Sequence, residues 1–135
     1  MKSLYITFLL VTIISTSSIM GQNLSPEDVV QKNLDSYNHK DIDGFMSSFS
    51  DSIIIYNFSD QKITAHGLTE VRKIYSELFD ASPKLHSTII KRIVFDNKVI
   101  DHESITGRRG SKDIIELVLI YEVKDEKIYK ITVIN

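Results

Sequence analysis

The chain of 135 residues contains no cysteine. That removes disulfides, thiolate nucleophiles, thiolate metal sites and lipoprotein acylation together. Proline is nearly absent, and its two copies, Pro26 and Pro83, sit where a helix should begin and end. Glycine is equally sparse, with five copies and no glycine-rich phosphate loop. No sign of charge dominates: the net charge is −2 and a quarter of the residues are charged. This excludes both a disordered composition and the basic footprint of a nucleic-acid binder. Histidine occurs four times, at His39, His66, His86 and His102, never at a ligand spacing, so no metal or cofactor site is expected. Repeats and low-complexity tracts are missing, and 135 residues suit one domain with one core.

Long apolar runs are missing too. Leu4 to Ile14 is apolar except for Thr7 and Thr12, follows Lys2, and precedes the small residues Ser15 to Ser18 and Gly21. A spanning helix needs about 20 residues, so residues 1–21 read as a cleaved export signal. The expected mature domain is 22–135, periplasmic or secreted, with no membrane contact after cleavage.

Ser25-Pro26-Glu27-Asp28 is a helix start, with a capping serine, a first-turn proline and two carboxylates at the positive end. Val30, Asn33, Leu34 and Tyr37 share one face of that helix. A short second helix follows, capped by Asp41, with Ile42, Phe45, Met46 and Phe49 as its apolar stripe. Ile53 to Phe58 then reads as a strand, Lys62 to Ala65 as a short one, and Val71, Ile74, Tyr75, Leu78 and Phe79 as the face of a third helix. Four further strands are expected at 88–95, 98–106, 113–123 and 128–134. Helices first and a meander last gives α+β, with the helices on one face of an antiparallel sheet.

Strand parity refines this. Ile115, Leu117, Leu119 and Tyr121 should face the helices. Ile114, Val118, Ile120, Ile128 and Ile134 fall on the opposite face, which is too apolar to be solvated. A second copy of the chain is the expected cover, making a homodimer.

The order of elements, together with Val29-Val30-Gln31, Tyr37-Asn38, Lys40 to Phe45, Phe49 to Ser52, His66-Gly67, Val71-Arg72, Tyr75, Val99 to Glu103, Thr106-Gly107, Tyr121 to Val123 and Lys127-Ile128, resembles the nuclear transport factor 2-like superfamily. The nearest branch is the SnoaL-like and ketosteroid isomerase-like one. The resemblance runs from Pro26 to Asn135 and implies a cystatin-like cone, a curved sheet wrapped around the helices with a ligand cavity open at one end. It also implies which side chains line that cavity: Asn33, Tyr37, Asn57, Tyr75, Ile100, His102, Ser104, Leu119, Tyr121 and Val133. Val99 and Ile105 point to the opposite orientation of the Ile100–Ser104 strand.

In the isomerase pattern Asn57 stands at the base position, Asn33 at the tyrosine position and Leu119 at the acid position. Neutral Asn57 cannot abstract a proton and Leu119 cannot donate one, so steroid isomerisation by that route is not expected. His102 is then the remaining candidate for a general base. Three readings stand: an exported dimer that binds a small, largely apolar molecule; a lyase or isomerase using His102 with Asn57 or Tyr75; and a protein-interaction module with a filled cavity. Cavity volume separates them, since ligand sites start at about 300 Å³.

Overall fold

Among the described residues, three α-helices lie against one face of a six-stranded sheet. The computed structural model describes Gly21 and residues 23–135. The expected export signal falls on residues 1–21 and so lies almost wholly outside the described residues.

Helix α1 (Pro26–His39) starts on a capping box: the Asp28 amide donates to the Ser25 hydroxyl, and the Ser25 amide donates back to the Asp28 carboxylate. It ends at Lys40, whose left-handed backbone turns the chain into α2 (Ile42–Ser47). Asp41 caps α2 by accepting from the Gly44 amide. Strand β1 (Phe49–Asn57) begins four residues before the β-branched run and pairs with the short β2 (Ile63–His66). Helix α3 (Gly67–Asp80) follows, then β3 (His86–Phe95), β4 (Lys98–Thr106), β5 (Ile115–Lys124) and β6 (Lys127–Ile134).

The strand order is β2-β1-β6-β5-β4-β3. The sheet is mixed rather than antiparallel throughout, because β1 runs parallel to β6, with Ile54–Asn57 beside Lys130–Val133. Side-chain alternation reports which face a residue takes but not the direction of its neighbour, so sequence periodicity could not distinguish the two. Register shifts at Ile55/Tyr56, Ile89/Lys91 and Glu122/Val123 mark bulges, which bend strands.

The apolar stripes of α1, α2 and α3 meet the inner face of the sheet. Tyr37, Phe45, Phe49, Tyr75 and Phe79 form a tilted and edge-on aromatic cluster, with ring centroids 4.5 to 6.4 Å apart. Around it Val30, Ile53, Val71, Val99 and Ile128 are fully buried. Ile128 was expected on the outer face. The bulge between Glu122 and Val123 shifts its parity and turns it into the core. Ile114 is two-thirds exposed and precedes β5, so it belongs to the connection rather than to a strand.

Candidate ligand cavity

The inner face of the sheet is read most directly from the β4–β5 pairing. Leu117, Leu119 and Tyr121 face the helices, and their cross-strand partners are Glu103, Asp101 and Val99. Directly opposed residues share a face. Val99, Asp101, Glu103 and Ile105 are therefore the inward residues of β4, and all four are buried. Ile100, His102 and Ser104 point outward, contrary to the expectation taken from the family pattern. His102 Nε2 sits 3.2 Å from a Glu116 carboxylate oxygen on the exposed surface.

Between sheet and helices lies a cavity of about 470 Å³. Its walls are mainly apolar and aromatic: Leu34 and Phe45 from the first two helices, Leu78 from α3, and Ile55, Ile105, Leu117 and Ile131 from the sheet. Of the residues expected to line it, Asn33, Tyr37, Tyr75, Leu119, Tyr121 and Val133 do so. Asn57 does not. It ends β1 on the inward parity, but its Oδ1 accepts from the Ser59 amide at 2.9 Å and the Ser59 hydroxyl at 3.0 Å, closing the turn after the strand. Asn33 has a structural task as well, its Nδ2 donating to the Phe45 carbonyl at 3.1 Å to join α1 to α2.

The polar centre of the cavity is Glu103. Its side chain accepts from the Ser87 hydroxyl at 2.5 Å and from the Tyr121 hydroxyl at 3.3 Å. Asn38 of α1 fixes Ser87 in turn, accepting from the Ser87 amide at 2.8 Å and donating to its carbonyl at 2.9 Å. Burial pushes the Glu103 carboxyl above its usual range. The hydrogen bonds from Ser87 and Tyr121 oppose that shift, while neighbouring Asp101 adds to it. Asp101 itself is fully buried and neutralised by Arg92, whose Nε and second terminal nitrogen donate to the two carboxylate oxygens at 2.7 and 2.8 Å.

Tyr121 is raised well above the ordinary phenol range by burial first and by Glu103 and Asp101 next, so it stays a hydrogen-bond donor. Tyr37 and Tyr75 are raised for the same leading reason. Their hydroxyls have no protein hydrogen bond among the described residues and open onto the cavity.

Glu103, Thr64, Arg108 and Arg109 were not anticipated as wall residues. The signal for Glu103 was available: β5 has an unambiguous inner face, and Val99 and Ile105 carry the same parity as Glu103 in β4. Among the described residues no three His, Cys, Asp or Glu side chains converge as a metal site would require. The arrangement offers an apolar sleeve with one carboxyl and two unoccupied phenols directed into it.

The SnoaL-like domain model matches residues 30–131. The chain belongs to the SnoaL-like family. No curated protein matches the sequence. Solved structures do. An uncharacterised cystatin-fold protein from Novosphingobium aromaticivorans superposes with a TM-score of 0.76 at 20% identity, over 83% of this chain and 99% of that one. An NTF2-like protein of unknown function from Cytophaga hutchinsonii gives 0.70 at 13% identity, over 84% and 92%. A protein with a ketosteroid isomerase-like fold from Catenulispora acidiphila, in complex with trimethylamine, gives 0.66 at 12% identity, over 83% and 87%. At these identities the likeness concerns the fold, and this SnoaL-like domain must be read functionally from its own side chains.

Proposed function

We propose that this protein is an exported, homodimeric SnoaL-like domain that takes up one small, largely apolar molecule in its cone. The observation that carries the reading is the cavity. Its volume of about 470 Å³ falls in the range of small-molecule sites, about 300–1,000 Å³, and its walls are apolar with a few convergent polar groups. An interaction module with a filled interior fits this volume poorly. The Tyr37 and Tyr75 hydroxyls, without protein partners, suit a ligand that brings a hydrogen-bonding oxygen to them.

The test is native mass spectrometry of protein purified from its source, followed by Leu117→Trp, which places an indole across the sleeve. A copurifying small molecule lost from the Trp variant, with the thermal transition retained, is the expected result. Wild-type protein that is empty and binds nothing from a panel of apolar compounds would remove the reading.

A second reading, a lyase or isomerase on this scaffold, is favoured by one observation. Glu103 is a buried carboxyl with a raised pKa, placed in a cleft and braced by Ser87 and Tyr121. If the cone turns its ligand over, Glu103 is the proton-transfer group rather than outward-facing His102. Glu103→Gln should then abolish turnover while ligand is still bound.

A further inference from the structure

The loop after β4 is fastened at three points. Gly107 has a φ of +71°, and a Cβ there would run into the Lys84 carbonyl, so only glycine lets the two segments approach this closely. Two residues on, the Arg109 amide donates to the buried Ser82 hydroxyl at 2.8 Å. The Ser111 amide then donates to the Arg108 carbonyl at 3.0 Å. Arg109 itself is held in left-handed backbone at φ +49°, a conformation that non-glycine residues seldom adopt.

This fastened turn brings Arg108 and Arg109 to the wall of the cavity. Ion pairs among the described residues engage Lys62, Arg72, Arg92, Lys98, Lys130 and His102, and neither loop arginine is among them. Arg108 is half-buried, and its charge is felt by both unpartnered phenols, favouring their ionised forms against the larger effect of burial. A partly desolvated guanidinium beside an apolar sleeve is costly unless something anionic completes it.

We infer that the cone's ligand is an organic anion, whose carboxylate, sulfonate or phosphate is held at the mouth by Arg108 with Arg109 beside it, while its apolar body lies against the aromatic wall. The inference rests on the small-molecule reading above and narrows it to a class. A cationic ligand is disfavoured by the same two charges.

The test uses two fluorescent probes with one ring system, 1-anilinonaphthalene-8-sulfonate and its uncharged counterpart N-phenyl-1-naphthylamine, titrated into the full domain. The sulfonate should bind at least about tenfold more tightly, the weight of one charge-assisted hydrogen-bonded contact. Arg108→Gln should erase that preference and leave the neutral probe unaffected, and Arg108→Lys should restore part of it. Leu117→Trp should exclude both probes. Equal binding of the two probes, or a sulfonate affinity within twofold of wild type in Arg108→Gln, overturns the anion inference while the cone remains a binding site. Retention of both probes by Leu117→Trp means that they bind elsewhere, and the small-molecule reading then falls with the inference built on it. A thermal melt of each variant reports folding, and the lysine variant keeps the comparison valid if glutamine at 108 is poorly tolerated.

Discussion

Replacing Arg92 by leucine should be among the most damaging single changes outside the hydrophobic core. Arg92 and Asp101 form a two-pronged pair at 2.7 and 2.8 Å, with Asp101 wholly buried and the Arg92 side chain 12% exposed. A third nitrogen of the same guanidinium donates to Gln31 Oε1 at 2.8 Å, tying α1 to the β3–β4 hairpin. Leucine fills most of the space but leaves Asp101 as an uncompensated buried charge. Breaking a buried pair from one side costs about 3–5 kcal/mol, a large share of the roughly 5–15 kcal/mol by which a domain is stable. For a chain of this length the midpoint should fall by about 10–20 °C. The assay is urea unfolding of wild type, Arg92→Leu, Asp101→Asn and the double variant, with the pair's coupling taken from the cycle. The double variant should recover much of the loss, since no buried charge remains. Arg92 also opposes the upward shift at Glu103, so its removal should keep Glu103 protonated to higher pH still. A loss under about 1 kcal/mol for Arg92→Leu, or a double variant no better than the sum of the singles, would refute the buried-charge argument.

Three shorter predictions accompany it. The folded state raises the Glu103 pKa above its ordinary value of 4.5, so N holds a proton that U has released, and stability is lost as pH rises above about that value. Glu103→Gln should therefore gain on wild type between pH 4 and pH 8 in parallel melts; a gap that stays constant with pH would contradict the shift. His102→Gln should change stability by no more than about 0.5 kcal/mol and leave ligand affinity untouched, because its partner Glu116 is an exposed carboxylate on the outer face. Ile93, Ile100 and Ile120 are directly opposed across three strands on the outer face, and Ile93 is half exposed; the paired change Ile93→Lys and Ile120→Lys should give monomers by light scattering, and an unaltered dimer would place the interface elsewhere.

The helices were the most legible part of the chain. Ser25, Pro26 and Asp28 mark the start of α1, Asp41 marks α2, and Pro83 lies three residues past the end of α3, because capping groups and backbone restrictions act within a few residues of where they stand. The β4 boundaries were equally legible, being set by a two-residue turn on one side and Gly107 on the other. The parallel β1–β6 pairing was not, since it depends on where a distant edge is left free. Nor was the true position of Ile128, because a bulge changes parity by one residue without a local sequence mark.

The face of β4 is where the expected and observed lining of the cavity differ most. Apolar residues there occupy both parities, Val99 and Ile105 on one and Ile100 on the other. The family resemblance implies Ile100, His102 and Ser104 as the inward set, which leaves the two carboxylates, Asp101 and Glu103, outside, and a buried acid is expensive unless something offsets it. The chain meets that cost differently at each. Asp101 is neutralised by Arg92, which the Asp96-Asn97 hairpin sets directly opposite it. Glu103 receives two hydroxyls and a raised pKa, from Ser87 across the bulge and Tyr121 on the next strand. These partners are distant in sequence, so hydrophobicity could not forecast them, whereas cross-strand register could: once Leu117 and Leu119 face inward, Glu103 and Asp101 must as well. A charged residue on an inward register with no cation opposite is thus the mark of this cavity, and in β4 it singles out Glu103.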